Sequence, residues 1–188
     1  ALGRPERGLH VVDATGGFGS DALLMSSCFG LAVTVVERHP LVFAVLEDAA
    51  RRAAPLPSTS VFGGPVLFGE AGQLLAGSAS EGGSPGRPDL VYLDPMFPRE
   101  RARRARPELA MQVLAAVCAS EPLAVTSGGA AAGPESERRL LEAARRCARR
   151  RVVVKRARSS DYLGGVRPSR KQIGTTNRFD IYMPLPNG

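Results

Sequence analysis

The sequence has 188 residues, of which 44% are hydrophobic, and this length fits one compact domain with a sizeable core over residues 1–188. No stretch approaches the roughly 18 consecutive apolar residues of a membrane span, and residues 1–8 lack the apolar segment of a signal peptide. The formal net charge of +7 indicates a polyanionic partner. Because only Lys155 and Lys171 among the 25 basic residues are lysines, a GC-rich coding sequence is an alternative source of this charge.

The cysteines and histidines form no pattern of metal ligands. Cys28, Cys118 and Cys147 lie far apart in apolar or helical surroundings, which fits neither a zinc site nor a disulfide framework. The histidines are His10 and His39. We therefore expect free thiols and a mechanism that does not depend on a metal ion.

Apolar runs alternate with helical patterns along most of the chain. Strands are predicted over residues 9–14, 32–37, 65–68, 90–94 and 152–155, and helices over residues 20–29, 40–54, 108–119 and 134–150. This alternation is typical of a parallel sheet covered by helices on both faces. Residues 171–176 and 177–182 indicate two further strands joined by a tight turn, so the predicted α/β Rossmann-like fold ends in an antiparallel hairpin. The stretches 77–88 and 127–134, rich in Gly, Ser, Ala and Pro, are predicted to be surface loops.

A glycine-rich turn, with Gly16, Gly17 and Gly19, follows the first strand directly and opens a helix. Glycine permits positive φ and lets the backbone approach a ligand closely. Glu37 ends the second strand, where a carboxylate can accept both hydroxyl protons of a ribose. A cofactor that contains a nucleoside is therefore predicted at this turn.

Both NAD and S-adenosyl-L-methionine (SAM) contain such a nucleoside. Asp13 lies within the turn, where its charge suits a sulfonium or ammonium group better than a pyrophosphate. The spacing Gly-Gly-x-Gly also differs from the G-x-G-x-x-G of dinucleotide binders. SAM is therefore the favoured cofactor. The segment Gly69–Gly72 is either a border of the adenine or a plain loop.

The string Asp94-Pro95-Met96-Phe97-Pro98 follows the fourth strand directly, at the edge where ligands bind in open α/β sheets. Phe97 can stack on a planar base, while carboxylate and carbonyl oxygens accept hydrogen bonds from its amino group. Orientation of this kind can supply roughly 7–11 kcal/mol of catalysis without a nucleophile or a metal. We therefore expect Asp94, Pro95, Met96 and Phe97 to form the reaction site.

Basic residues border this predicted site, and their position favours contacts with phosphate. The loop over residues 157–170 is polar and contains glycine, so it is predicted to be a mobile flap that closes over RNA. The candidate RNA-binding residues are Arg99, Arg101, Arg103, Arg104, Lys155, Arg156, Lys171 and Arg178.

Five strings occur in the order found in the RsmJ family of small-subunit ribosomal RNA guanine-N(2) methyltransferases, which the sequence therefore resembles. They are residues 13–21, 36–40, 91–98, 152–156 and 178–182, and they span nearly the whole chain. The resemblance implies a seven-stranded class I methyltransferase fold with SAM as methyl donor. By position, it implies cofactor contacts at Ser20, Asp21, Glu37, Arg38, Ala71, Gly72 and Asp94.

The function expected from the residues and the resemblance is methylation of a guanine amino group in small-subunit ribosomal RNA, free or in the small ribosomal subunit. Members of the family usually have Arg in place of Ser20 and Ala in place of Gly16, so an inactive ribosome-assembly factor that binds ribosomal RNA is the first alternative. A dehydrogenase is the second, and it leaves residues 94–98 without a role. We expect a cytoplasmic protein, with the mitochondrial matrix or another organelle that contains ribosomes as the alternative.

Overall fold

The computed structural model describes residues 8–53, 60–77, 85–95 and 133–186. Within these ranges the chain forms a seven-stranded sheet with helices on both faces. The strands are β1 (His10–Asp13), β2 (Ala32–Glu37), β3 (Gly63–Phe68), β4 (Leu90–Leu93), β5 (Arg151–Ala157), β6 (Arg170–Ile173) and β7 (Asn177–Tyr182). The helices are α1 (Ser20–Phe29), α2 (Pro40–Ala53), α3 (Ala71–Leu75) and α4 (Pro134–Cys147), with a 3-10 turn at Leu163–Gly165.

The strand order across the sheet is β3-β2-β1-β4-β5-β7-β6. Strands β1 to β5 pair in parallel, whereas β7 pairs antiparallel with both β5 and β6. The predicted fold, a mostly parallel sheet of seven strands with a C-terminal antiparallel hairpin, is therefore confirmed. The predicted helix over residues 108–119 lies outside the described residues.

Alternate side chains of the central strands enter two separate hydrophobic clusters. Val11, Val33 and Val153 pack on one face with α1 and α2, and Val12 and Val152 pack on the other with α3 and α4. Because successive side chains of a strand point to opposite faces, strands covered on both sides are apolar at nearly every position. This explains the continuous apolar runs in the sequence.

Strands β1 to β5 all end at the same edge of the sheet, since they run parallel. The glycine-rich turn, Glu37, Gly69 and Asp94 follow or end these strands, so the fold brings them to one edge. Within the described ranges no helix is long and apolar enough to cross a membrane.

Candidate functional site

The glycine-rich turn packs directly against the end of β2. The Gly16 N–H donates to the Val36 carbonyl over 2.8 Å, and a Cβ on Gly16 would overlap Val35 Cγ1. Gly17 and Gly19 have φ of 51° and 76°, in the left-handed region that favours glycine. The three predicted glycines therefore form a tight turn whose backbone leads into α1.

Glu37 is held by the backbone on both of its carboxylate oxygens. Its Oε2 accepts from the Gly17 N–H over 2.8 Å, and its Oε1 accepts from the His39 N–H over 2.7 Å. A carboxylate has about four lone-pair sites, so each oxygen can accept one more hydrogen bond. The side chain is half-buried, and its fixed orientation suits the two neighbouring hydroxyl groups of a ribose.

Arg38, Ala71 and Gly72 lie beyond the ends of β2 and β3. Arg38 forms a 3.3 Å ion pair with Glu70, and both side chains are largely exposed. Ala71 is buried in the first turn of α3, while a Cβ on Gly72 would meet no atom within 4 Å. The Arg38–Glu70 pair and the open space at Gly72 thus border the same edge as Glu37.

Three charged side chains form a half-buried cluster at the ends of β4 and β5. Lys155 Nζ lies 2.8 Å from Asp21 Oδ2 and 2.9 Å from Asp94 Oδ2, so one ammonium bridges both carboxylates. The Tyr92 hydroxyl donates to Asp21 Oδ2 over 2.6 Å. The fold thereby joins Asp21, in the first turn of α1, to Asp94, which follows β4.

Asp13 is buried beneath this cluster, with 2% of its surface exposed. Its Oδ1 accepts from the Thr15 N–H over 3.1 Å, and the Thr15 hydroxyl in turn accepts from the Asp94 N–H over 2.7 Å. Burial, with smaller effects of the Asp21 and Asp94 charges, raises the pKa of Asp13 to about 7. Asp13 therefore shapes the turn, and its predicted contact with the cofactor stays a prediction.

Burial also raises the pKa of Asp94, an effect that the Lys155 ammonium opposes. Burial lowers the pKa of Lys155, but its contacts with Asp21 and Asp94 outweigh this, and the pKa is raised overall. Lys155 is therefore charged at neutral pH, and its charge favours the ionised form of Asp94.

Three predicted RNA-binding cations have other partners in the structure. Lys155 binds the two carboxylates described above. Arg156, 5% exposed, donates to the Asp161 carbonyl over 2.6 and 3.0 Å. Arg178, 7% exposed, forms a bidentate pair with Asp180 at 2.8 and 2.9 Å. Because these charges are buried or paired within the chain, little of each is open to a phosphate, and their predicted contact with RNA stays a prediction.

The loop over residues 158–169 is anchored, in contrast to the predicted flap. Arg178 donates to the carbonyls of Arg158 and Ser160, and the Tyr182 hydroxyl donates to the Val166 carbonyl over 2.9 Å. The Gly164 N–H donates to Glu137 Oε2 on α4 over 2.8 Å. Side chains of β7 and of α4 thus fix the loop to the sheet and to the helix.

The remaining predicted residues lie either on the surface or outside the described residues. Lys171 is exposed on the edge strand β6, and its ammonium donates to the Tyr162 hydroxyl over 3.1 Å. Ser20 is exposed at the start of α1, and Pro95 is half-buried after Asp94. Met96, Phe97, Arg99, Arg101, Arg103 and Arg104 lie outside the described residues.

Sequence reasoning missed Thr15, Tyr92 and the carboxylate partners of Lys155. Thr15 lies within the predicted turn, and its hydroxyl is the kind of group that organises turns. Tyr92 lies in β4 and Asp94 directly follows the strand, so the two residues are two positions apart and share a face, a signal that was available in the sequence. The partners of Lys155 lie in other elements, so its spacing in the sequence gave no signal.

Residues 3–184 match the family described as "Putative SAM-dependent methyltransferase". The ribosomal RNA small subunit methyltransferase J of Laribacter hongkongensis is 40% identical over 179 residues, which cover 94% of this chain and 57% of the relative. The protein of the same name from Neisseria gonorrhoeae is 35% identical, with 93% of this chain and 63% of the relative covered. The chain thus spans about three fifths of the length of these curated relatives.

A crystal structure of a SAM-dependent methyltransferase from Neisseria gonorrhoeae aligns with a TM-score of 0.65 and 33% identity, covering 96% of this chain and 67% of that one. These matches confirm the resemblance to the RsmJ family and SAM as the cofactor of the family. The chain belongs to the family of SAM-dependent methyltransferases that its residues 3–184 match.

Proposed function

We propose that this chain transfers a methyl group from SAM to the exocyclic amino group of a guanine in small-subunit ribosomal RNA. The observation that carries the proposal is the position of Asp94. Its half-buried carboxylate follows β4, and its backbone N–H is bound to Thr15 of the glycine-rich turn. An acceptor for an amino group and a turn suited to a nucleoside are therefore directly linked.

The described residues fit SAM. The Glu37 carboxylate is oriented by two backbone N–H groups and retains acceptor sites for ribose hydroxyls. Asp21 and Asp94 supply negative charge that suits the sulfonium and ammonium groups of the cofactor. When bound, SAM supplies an electrophilic methyl group. We assign Glu37, Asp21 and the turn over residues 16–19 to its binding.

At the acceptor, the Asp94 carboxylate and the Pro95 carbonyl are the groups proposed to bind the amino group. In the proposed transfer the N–C bond forms as the S–C bond to the donated methyl group breaks, the sulfur leaves with the electron pair as a neutral thioether, and the amine passes one proton to the carboxylate of Asp94. Burial, although opposed by Lys155, raises the pKa of Asp94, which makes it a stronger base than an exposed aspartate. Orientation of the amine by these groups accounts for much of the proposed rate enhancement.

Two further observations support RNA as the substrate. The curated relatives are named as small-subunit ribosomal RNA methyltransferases, and the net charge of this chain is +7. Arg167, Arg170 and Lys171 are exposed on the loop after β5 and on β6, and we propose that they contact phosphates. The target guanine must be unpaired or flipped out, because its amino group is otherwise inaccessible in a stacked helix.

Methyl transfer to small ribosomal subunits tests the proposal. Particles isolated from cells that lack the related enzyme are incubated with this protein and radiolabelled SAM, and the modified nucleoside is identified by mass spectrometry. We expect N2-methylguanosine, lost in Asp94→Ala. Asp89→Ala is the matched control, because Asp89 precedes β4 at the opposite edge of the sheet, where it accepts from the His10 N–H.

Two results would overturn the proposal. Label on a different nucleoside would refute the guanine amino group as acceptor. Tight binding of the particles and of SAM without any transfer would instead indicate an assembly factor.

A further inference from the structure

We propose that Lys155 is a positioning residue, which holds the Asp94 carboxylate toward the amino acceptor and joins it to Asp21 on the cofactor side. This inference rests on the proposed function for the identity of the reaction. The contacts of Lys155 with Asp21 and Asp94 are observed independently of that function. Lys155 then acts within the site, whereas the sequence alone predicts a contact with phosphate.

The first support is the geometry of the ammonium. Lys155 Nζ lies within 2.9 Å of one oxygen of each carboxylate, while its side chain is only 24% exposed. Asp21 and Asp94 are 31% and 39% exposed, so the cluster is shielded from solvent on most sides. Two of the three ammonium protons are directed at carboxylates, which leaves little capacity for a phosphate.

The second support is the balance of charge around Asp94. Asp21 on α1 and Asp13 on β1 contribute negative charge, and Lys155 and Arg156 on β5 contribute positive charge. Lys155 and Arg156 are neighbours in a strand, so their side chains point to opposite faces. Among the residues the structure describes, Lys155 is the cation whose ammonium contacts the Asp94 carboxylate.

Tyr92 completes the set of groups around the cluster. Its hydroxyl donates to the Asp21 oxygen that Lys155 also contacts, and its pKa is raised by burial, so it is neutral at the pH of the reaction. Tyr92 therefore fixes Asp21 without adding charge. The ammonium of Lys155 is what offsets the repulsion between Asp21 and Asp94.

The expected consequence concerns the protonation of Asp94. An opposite charge at 4–6 Å or closer lowers the pKa of an aspartate by about 1–3 units. Without Lys155, Asp94 would bind a proton at higher pH and would then donate a hydrogen bond where it must accept one. Loss of the ammonium should therefore slow methyl transfer most strongly at low pH, whereas loss of a phosphate contact should weaken RNA binding at every pH.

The experiment compares the full chain with Lys155→Met, Lys155→Arg and Arg139→Met. Arg139 is an exposed residue of α4 that pairs with Glu135, so its substitution removes one positive charge without removing a contact of the cluster. The Asp94 carboxyl is titrated by carbon-13 NMR in the free protein. Single-turnover methyl transfer and particle binding are then measured across about pH 6 to 9.

In Lys155→Met we expect the pKa of Asp94 to rise by about one unit or more. The acid limb of the profile of rate against pH should move to higher pH by the same amount. Particle affinity should stay within about twofold of the unchanged protein. Lys155→Arg keeps the charge and should largely restore both the Asp94 titration and the rate profile. Arg139→Met should leave both unchanged.

An Asp94 titration that does not move in Lys155→Met overturns the inference, as does a loss of particle affinity with an unchanged rate profile. If Lys155→Met does not fold, Lys155→Gln decides, since its polar amide also removes the ammonium charge and should raise the pKa of Asp94 in the same way. If the unchanged protein transfers no methyl group, the proposed function fails, while the NMR titration still decides whether Lys155 controls Asp94.

Discussion

Replacement of Asp13 by Asn should change how stability depends on pH. Asp13 is 2% exposed, and burial raises its pKa from 3.8 to about 7. The native state therefore binds a proton at this site more tightly than the unfolded chain does. The resulting stabilisation is complete below pH 3.8 and is lost as the pH rises through about 7.

The shift from 3.8 to about 7 is about three pKa units, each worth about 1.4 kcal/mol, so the full effect is about 4 kcal/mol. About 3 kcal/mol of this should be lost between about pH 5 and about pH 8, because the native group titrates within that interval. Asn is neutral throughout and keeps an oxygen for the Thr15 N–H that Asp13 binds. Asp13→Asn should therefore gain stability relative to the unchanged protein as the pH rises.

Urea unfolding of both proteins at about pH 5 and about pH 8 measures this effect. Subtracting the two free energies of unfolding at each pH removes the contribution of titrating groups that do not interact with Asp13. We expect the difference to change by about 3 kcal/mol in favour of Asp13→Asn at the higher pH. If the difference in free energy of unfolding between the two proteins is the same at both pH values, Asp13 is not a buried acid with a raised pKa.

Three other substitutions have expected outcomes that urea unfolding checks. Gly164→Ala should lower the free energy of unfolding more than Gly165→Ala does. Both glycines have positive φ, but only a Cβ on Gly164 would meet the α4 backbone, at 2.7 Å. Equal losses of stability in the two variants would contradict this. Arg178→Met should lower the free energy of unfolding by about 3–5 kcal/mol, since it leaves the fully buried Asp180 carboxylate without its bidentate partner. Thr15→Val should lower the free energy of unfolding by about 1–3 kcal/mol, because it removes the acceptor of the Asp94 N–H. An unchanged stability would argue against that hydrogen bond.

Most strands and helices could be predicted from periodicity. The predicted α1 and β2 have the observed bounds, and β7 agrees as well, because apolar runs and a glycine-rich turn delimit them. The third strand begins at Gly63, two residues before the prediction, and no helix was predicted at α3. A five-residue helix such as α3 is too short to show a helical period.

The edge of the sheet that carries the site was also predictable, whereas the partners of its charged residues were not. Glu37 and Asp94 end or follow strands, and parallel strands bring such positions together. Lys155 and its partner Asp21, however, are 134 residues apart, and no local pattern connects them. Arg178 and Asp180 did carry a signal, since residues two apart on a strand share a face.

Calorimetric titration of the chain with SAM and with NAD tests the central claim most directly. The turn over residues 16–19, the oriented Glu37 carboxylate and the carboxylates of Asp21 and Asp94 predict one molecule of SAM bound per chain and no heat with NAD. Glu37→Ala should weaken SAM binding by about tenfold or more, which corresponds to about 1.4 kcal/mol. Binding of NAD, or SAM binding that is unchanged by Glu37→Ala, would contradict the account.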